Sequence, residues 1–125
     1  MQKFVFNKLE KLTSRKDIEE LFSNGAVISV FPFRVLWKLT PVQDSPIKFT
    51  ISVPKKKFKR AVDRNLLKRR SREAFRLHKP ALYKQLSEQN KTLNIFLIYT
   101  SNEIIDFHTI ENRITHIIQK LEAIL

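Results

Sequence analysis

The sequence predicts an α+β fold, a small sheet covered by helices, and three observations carry that prediction. Ile47–Val53 alternates cleanly, with Ile47, Phe49, Ile51 and Val53 on one side and Lys48, Thr50 and Ser52 on the other, which is the period of two expected of a strand. Leu93–Tyr99 is apolar on both of its faces, as a central strand should be. Phe107, Ile110, Ile114, Ile117, Ile118, Leu121 and Leu125 recur at helical spacing, the stripe of an amphipathic helix. A chain of 125 residues holds one core and is too short for two comfortable ones. Residues 1–125 are therefore expected to form a single domain, with 1–12 as a flexible lead-in.

The remaining elements follow in order. Ser14 with Asp17 at the fourth position is close to a capping box and opens a short helix from about Arg15 to Asn24, with Ile18, Leu21 and Phe22 on one side. Gly25, the only glycine, is placed to end it in a left-handed conformation. Val27–Leu39 is β-rich; Phe33, Val35, Trp37 and Leu39 share one face, and Arg34, Leu36 and Lys38 the other. Thr40–Pro46, with two prolines, an Asp and a Ser, reads as a hairpin loop. Pro54 ends the next strand, and Phe58–Val62 supplies a short edge strand. Asp63 is placed to cap a helix that runs to about His78, where Pro80 interrupts it before a further turn at Leu82–Leu86. Asp106 caps the last helix. The order is α-β-β-β-α-β-α, helices packed against a small sheet.

Function is carried by charge. Twenty-four Lys and Arg face twelve Asp and Glu, a net +12, and such an excess repels itself unless a polyanion relieves it. Lys55–Arg76 alone holds eleven of the cations against Asp63 and Glu73, a net +9 within 22 residues. Phe58, Leu66, Leu67, Ala74 and Phe75 interleave the block, so it reads as folded. With Arg64 set to zero and about 100° per residue, Lys68, Arg72, Asn65, Arg76 and Arg69 fall between roughly 40° and 140°. Leu66, Leu67, Ala74 and Leu77 fall between roughly 200° and 300° and are assigned to the core. Arg70 is the misfit at the boundary. A merely solvated face usually mixes acids with its bases, and this stripe contains no acid. A membrane-surface helix needs its apolar face exposed, and here a core claims it. Nucleic acid is the expected partner, and no membrane.

The stretch SVPKKKFKRAVDRNLLKRRSREAFR, Ser52–Arg76, resembles the signature of the protein component of bacterial ribonuclease P. The matching pieces are Ser52-Val53, Lys55-Lys56, Lys59-Arg60-Ala61, Arg64-Asn65, Lys68-Arg69 and Arg72-Glu73-Ala74-Phe75-Arg76. Upstream, Asp17-Ile18, Leu21-Phe22 and Gly25 resemble the family's first helix. One departure stands out: the third position of the family's Arg-Asn-Arg triplet is Leu66 here, and Arg70, one turn on, is placed to take over part of its role.

The resemblance implies a ribosomal-protein-like two-layer sandwich with a left-handed crossover, where the common rule is right-handed. It implies a cytoplasmic protein subunit that joins a large catalytic RNA and helps remove the 5′ leader of precursor tRNA. Chemistry would belong to that RNA and its bound Mg²⁺, with no metal held tightly by the protein, which would be monomeric in isolation. The RNA-binding residues would be Lys55, Lys56, Lys59, Arg60, Arg64, Asn65, Lys68, Arg69, Arg72 and Arg76. The leader would lie in a cleft between sheet and first helix, at Ile18, Phe22 and Phe33, where stacking suits bases of any sequence.

Other constellations carry less. His78, His108 and His116 are scattered without a metal-ligand spacing, no carboxylate cluster is set up for acid–base work, and one glycine makes no phosphate-cradling loop. The expectation is no protein active site. A zero cysteine count excludes disulfides and thiolate metal sites and fits a reducing compartment. The competing reading is a ribosomal or ribosome-assembly protein, with a nuclease acting alone as the third class.

Overall fold

In the computed structural model, residues 11–125 are described. Ser14 opens helix α1 (Arg15–Asn24) as the sequence predicts, its hydroxyl accepting the Asp17 N–H at 3.3 Å. Gly25 ends that helix with φ −71° and ψ 152°, an extended conformation and not the expected left-handed one. Glycine is needed there for space, because a Cβ would lie 2.5 Å from the Leu21 carbonyl oxygen.

The β-rich stretch after Gly25 is two strands, β1 (Ala26–Val30) and β2 (Phe33–Pro41), and not one. Pro32 has no N–H to give a ladder, so the chain turns at Phe31–Pro32 and pairs back on itself from Val30↔Phe33 to Ala26↔Trp37. Next come β3 (Ile47–Ser52), α2 (Ala61–His78), α3 (Pro80–Gln89), β4 (Lys91–Tyr99) and α4 (Phe107–Ile124). Phe58–Val62 is not the expected edge strand. Phe58 is buried in a loop, and Ala61 already begins α2. Arg60 is the N-cap and Asp63 lies inside the first turn. Asp106 caps α4 as expected, accepting from the Thr109 N–H at 3.3 Å.

The sheet order is β1-β2-β4-β3. Thr40–Pro46 is therefore no hairpin loop: β4 lies between β2 and β3, antiparallel to the first and parallel to the second. The parallel pair is joined through α2 and α3, and the hydrogen bonds of β3 fix the hand of that crossover. Take β3 pointing up with the α2 layer towards the viewer. Phe49 then points at the viewer, since its ring stacks on Phe75 of α2 at 4.3 Å. An L-residue so placed projects its N–H and C=O to the right. The Phe49 carbonyl accepts from Leu12 N–H at 3.1 Å, so the Leu12 segment is on the right and β4 on the left. The crossover is left-handed, against the usual rule.

Strand alternation divides the side chains between two faces. Phe33, Val35, Ile47, Phe49, Ile51, Leu93, Ile95, Leu97 and Tyr99 join Leu67, Phe75, Leu82, Leu86 and the isoleucine stripe of α4 in the main core. The other face carries a smaller cluster of Leu12, Leu21 and Leu36 with Ile18, Phe96 and Ile98. α1 covers part of that second face, a small third layer on the predicted two. Of the stretch 1–12, Lys11 bridges to Phe49 and Leu12 is buried; residues 1–10 lie outside the described residues.

Candidate nucleic-acid interface

The cationic surface has two parts, a loop and a helix face. In the loop, the N–H groups of Lys57 and Phe58 both donate to the Pro54 carbonyl, at 3.2 and 3.3 Å. The Phe58 ring is buried against Tyr99 with 5.8 Å between centroids. Lys57 Nζ donates to Asn102 Oδ1 at 3.2 Å. The anchored loop holds Lys55, Lys56, Lys59 and Arg60 exposed.

On α2 the buried positions are Leu67, Ser71, Ala74 and Phe75. Relative to Arg64 at zero, Ser71 and Phe75 fall near 340° and 20°, which turns the core direction roughly 80° towards Arg64. Three consequences follow. Asn65, Arg69 and Arg72 are fully on the exposed face. Leu66 is only partly buried and belongs to neither core cluster, which corrects its assignment to the core. Arg64 and Lys68 are partly covered, and Arg64 Nη1 donates to the carbonyls of Phe58 at 2.8 Å and Lys59 at 2.9 Å. Arg76 lies on the face but pairs with Glu73, Nε to Oε1 at 2.9 Å and Nη2 to Oε2 at 2.5 Å. Those hydrogen bonds hold the Glu73 carboxyl below its ordinary range. Arg70, one turn on from Leu66, is partly covered. Its Nη1 donates to the Ile105 carbonyl at 2.6 Å, tying α2 to the segment before α4. Tyr99 secures the same segment, its hydroxyl donating to the Glu103 carbonyl at 2.6 Å and accepting from Ile105 N–H.

Beside this cationic surface, next to α1, lies a partly exposed apolar patch. Phe22 is 58 % exposed and meets Phe96 of β4 edge-on at 5.2 Å. Ile18 packs at the margin of the same cluster. Arg34, exposed, and Ser52 flank Ile98 across the register. Phe33 does not belong there. It is 1 % exposed, on the opposite face, and packs on Tyr99 at 5.8 Å. The aromatic that sequence reasoning missed is Phe96. Its signal was the apolar character of Leu93–Tyr99 on both faces, which requires a cover on each.

The patch and the cationic surface adjoin. β3 borders this patch through Ser52, its last residue, from which Val53 and Pro54 lead into the cationic loop. At the outer edge of β3, Arg72 shares a cavity of about 290 Å³ with Lys11, Leu12, Thr13, Phe49 and Thr50. His78 pairs with Glu111 at 2.9 Å, while His108 and His116 are exposed. Among the described residues no three His, Cys, Asp or Glu side chains gather as a metal site.

A family model described as Ribonuclease P matches residues 6–122. The chain belongs to the ribonuclease P protein family. The ribonuclease P protein component of Porphyromonas gingivalis is 38 % identical over 109 residues, covering 86 % of this chain and 80 % of that one. The component from Nitrosococcus oceani is 34 % identical over 82 residues, covering 66 % and 67 %. Among solved structures, the RNase P protein from Thermotoga maritima superposes with a TM-score of 0.68 at 25 % identity, over 89 % of this chain and 96 % of its own. That from Staphylococcus aureus gives 0.70 at 22 % identity, over 90 % and 94 %; at that identity it supports the fold alone. The chain is thus a subunit of the ribonuclease P endonuclease and a partner of the ribonuclease P RNA. Nothing in these likenesses favours the ribosomal or ribosome-assembly reading. Among the described residues no helix is long and apolar enough to cross a membrane.

Proposed function

We propose that this chain, as a single RNA-binding domain, grips the ribonuclease P RNA with its loop-and-helix cations and the 5′ leader of precursor tRNA with the α1 groove. The observation that carries the reading is the continuity of the two parts: the Phe22–Phe96 pair beside α1 and, past Ser52 of β3, the loop and helix of the net +9 segment. Lys55, Lys56, Lys59, Arg60, Asn65, Lys68, Arg69, Arg72 and Arg76 neutralise or hydrogen-bond phosphates, which positions RNA without reading its sequence. Arg64 adds its charge from a partly covered position. Phe22 and Phe96 offer π-faces to unpaired bases, with Ile18 as an apolar flank and Arg34 beside the path of the backbone.

The RNA carries the hydrolytic chemistry with its bound Mg²⁺. The protein's part is to hold the leader, so that precursor binds in preference to mature tRNA; purely cationic contacts would serve both forms alike. A net charge of +12 opposes self-association, which supports a monomer before RNA binding, and the cysteine-free sequence fits the cytoplasm. Reconstitution tests the reading. The chain is combined with the ribonuclease P RNA of its own source and a precursor tRNA bearing a leader. Cleavage at low Mg²⁺ should depend on the protein, and affinity should favour precursor over mature tRNA. Equal affinity for the two would remove the leader groove from the reading.

A further inference from the structure

The guanidinium of Arg64 is turned towards backbone as well as towards the cationic face. One nitrogen, Nη1, donates to two consecutive peptide carbonyls, Phe58 at 2.8 Å and Lys59 at 2.9 Å. We propose that Arg64 is a positioning residue for RNA binding: it clamps the end of the Pro54–Arg60 loop to the first turn of α2, so that Lys59 and Arg60 are presented to phosphates in one fixed geometry. The proposal rests on the reading of this surface as the RNA face.

Other ties in the loop explain why the clamp is needed where it is. The front of the loop is closed by the Lys57 and Phe58 N–H bonds to Pro54, and its middle by the buried Phe58 ring. Past Phe58 the ties thin out. Arg60 is an N-cap without a side-chain cap bond, and its contact with Asp63 is long, 3.8 Å, with the Arg60 side chain 76 % exposed. Two adjacent cations would otherwise sit on a peptide segment with freedom to lose on binding, and ordering it in advance removes that cost. A planar fork is well shaped for such a clamp, because two hydrogens on one nitrogen reach two carbonyls while the far nitrogens stay available to solvent or phosphate. Lysine at 64 keeps the charge, but its ammonium is one bond shorter and lacks the fork.

Affinity for the ribonuclease P RNA is measured across a salt series for the wild-type chain, Arg64→Lys and Arg64→Ala, each also combined with the double change Lys59→Ala and Arg60→Ala. Amide hydrogen exchange of residues 58–60 and thermal unfolding are followed alongside. If Arg64 positions, Arg64→Lys remains folded yet binds about tenfold more weakly. Exchange at 58–60 rises in that variant, and its loss shrinks once Lys59 and Arg60 have already been replaced. If Arg64 acts by charge alone, Arg64→Lys binds like the wild type and the losses from position 64 and from the Lys59 and Arg60 change add; either result overturns the proposal. Failure of the wild-type chain to bind the RNA would overturn the functional reading as well, which separates the two.

Discussion

Replacing Phe22 by alanine separates the groove from the core. Phe22 is 58 % exposed and, among the described residues, has one aromatic neighbour, Phe96, so its loss should cost the fold about 0.5–1.5 kcal/mol, the worth of an edge-on pair. A base stacked on such a ring is worth about 1–3 kcal/mol, or roughly 5- to 150-fold in dissociation constant. Phe33→Ala makes the opposite change. It removes a ring that is 1 % exposed in the main core and should cost about 3–5 kcal/mol of stability, with no effect specific to the leader. The assay titrates reconstituted holoenzyme with precursor tRNAs of increasing leader length, and with mature tRNA. Phe22→Ala should lose affinity only for leaders long enough to reach the groove, and Phe96→Ala should follow it. An equal loss for every length, mature tRNA included, would refute the groove. So would a leader-specific loss in a folded Phe33→Ala variant.

Three further outcomes are expected. Arg69→Ala and Arg72→Ala, both on the exposed face of α2, should each lower the slope of log affinity against log salt by about one and leave the thermal transition in place. Leu67→Ala, fully buried, should cost about 2–5 kcal/mol; Leu66→Ala should cost clearly less in the same denaturant titration, and Leu66→Arg should fold and bind RNA more tightly. The Asp106 carboxyl is held below its ordinary 3.8 by its hydrogen bond from Thr109. A depressed carboxylate contributes stability that is present above the unfolded pKa and lost as pH falls through the folded one. Asp106→Asn keeps a capping oxygen and should flatten that part of the acid limb below about pH 4, as read from unfolding midpoints against pH.

What the sequence made legible was local. The caps at Ser14 and Asp106, the alternation of Ile47–Val53 and the helical stripe of α4 each depend on residues within one or two turns of each other, and each stands in the structure. What it hid depends on partners far along the chain. Thr40–Pro46 has the composition of a hairpin loop, yet β4, some fifty residues later by the register Thr40↔Thr92, takes the place beside β2. Alternation sorted Phe33 from Arg34 and Leu36 correctly but could not say which face meets α1, because both faces of the sheet carry apolar groups and both are covered. On α2 the cationic stripe was visible, whereas the angle of the core was not. Counting Phe75 and the small, buried Ser71, whose hydroxyl bonds back to the Leu67 carbonyl at 2.8 Å, turns it. The clamp made by Arg64 is a long side chain meeting backbone carbonyls, for which no residue spacing is diagnostic.

The place of Phe96 on β4 has a mechanical consequence. Its chain neighbours Ile95 and Leu97 are buried in the main core, and β4 is paired on both sides, so one wall of the groove cannot shift without disturbing the centre of the fold. The cationic helix is bolted to that centre through Leu67 and Phe75. Groove and helix therefore stand at a set separation, and on the proposed function the protein would act as a gauge: the benefit of lengthening a leader should arrive as a step at one nucleotide count and then level off.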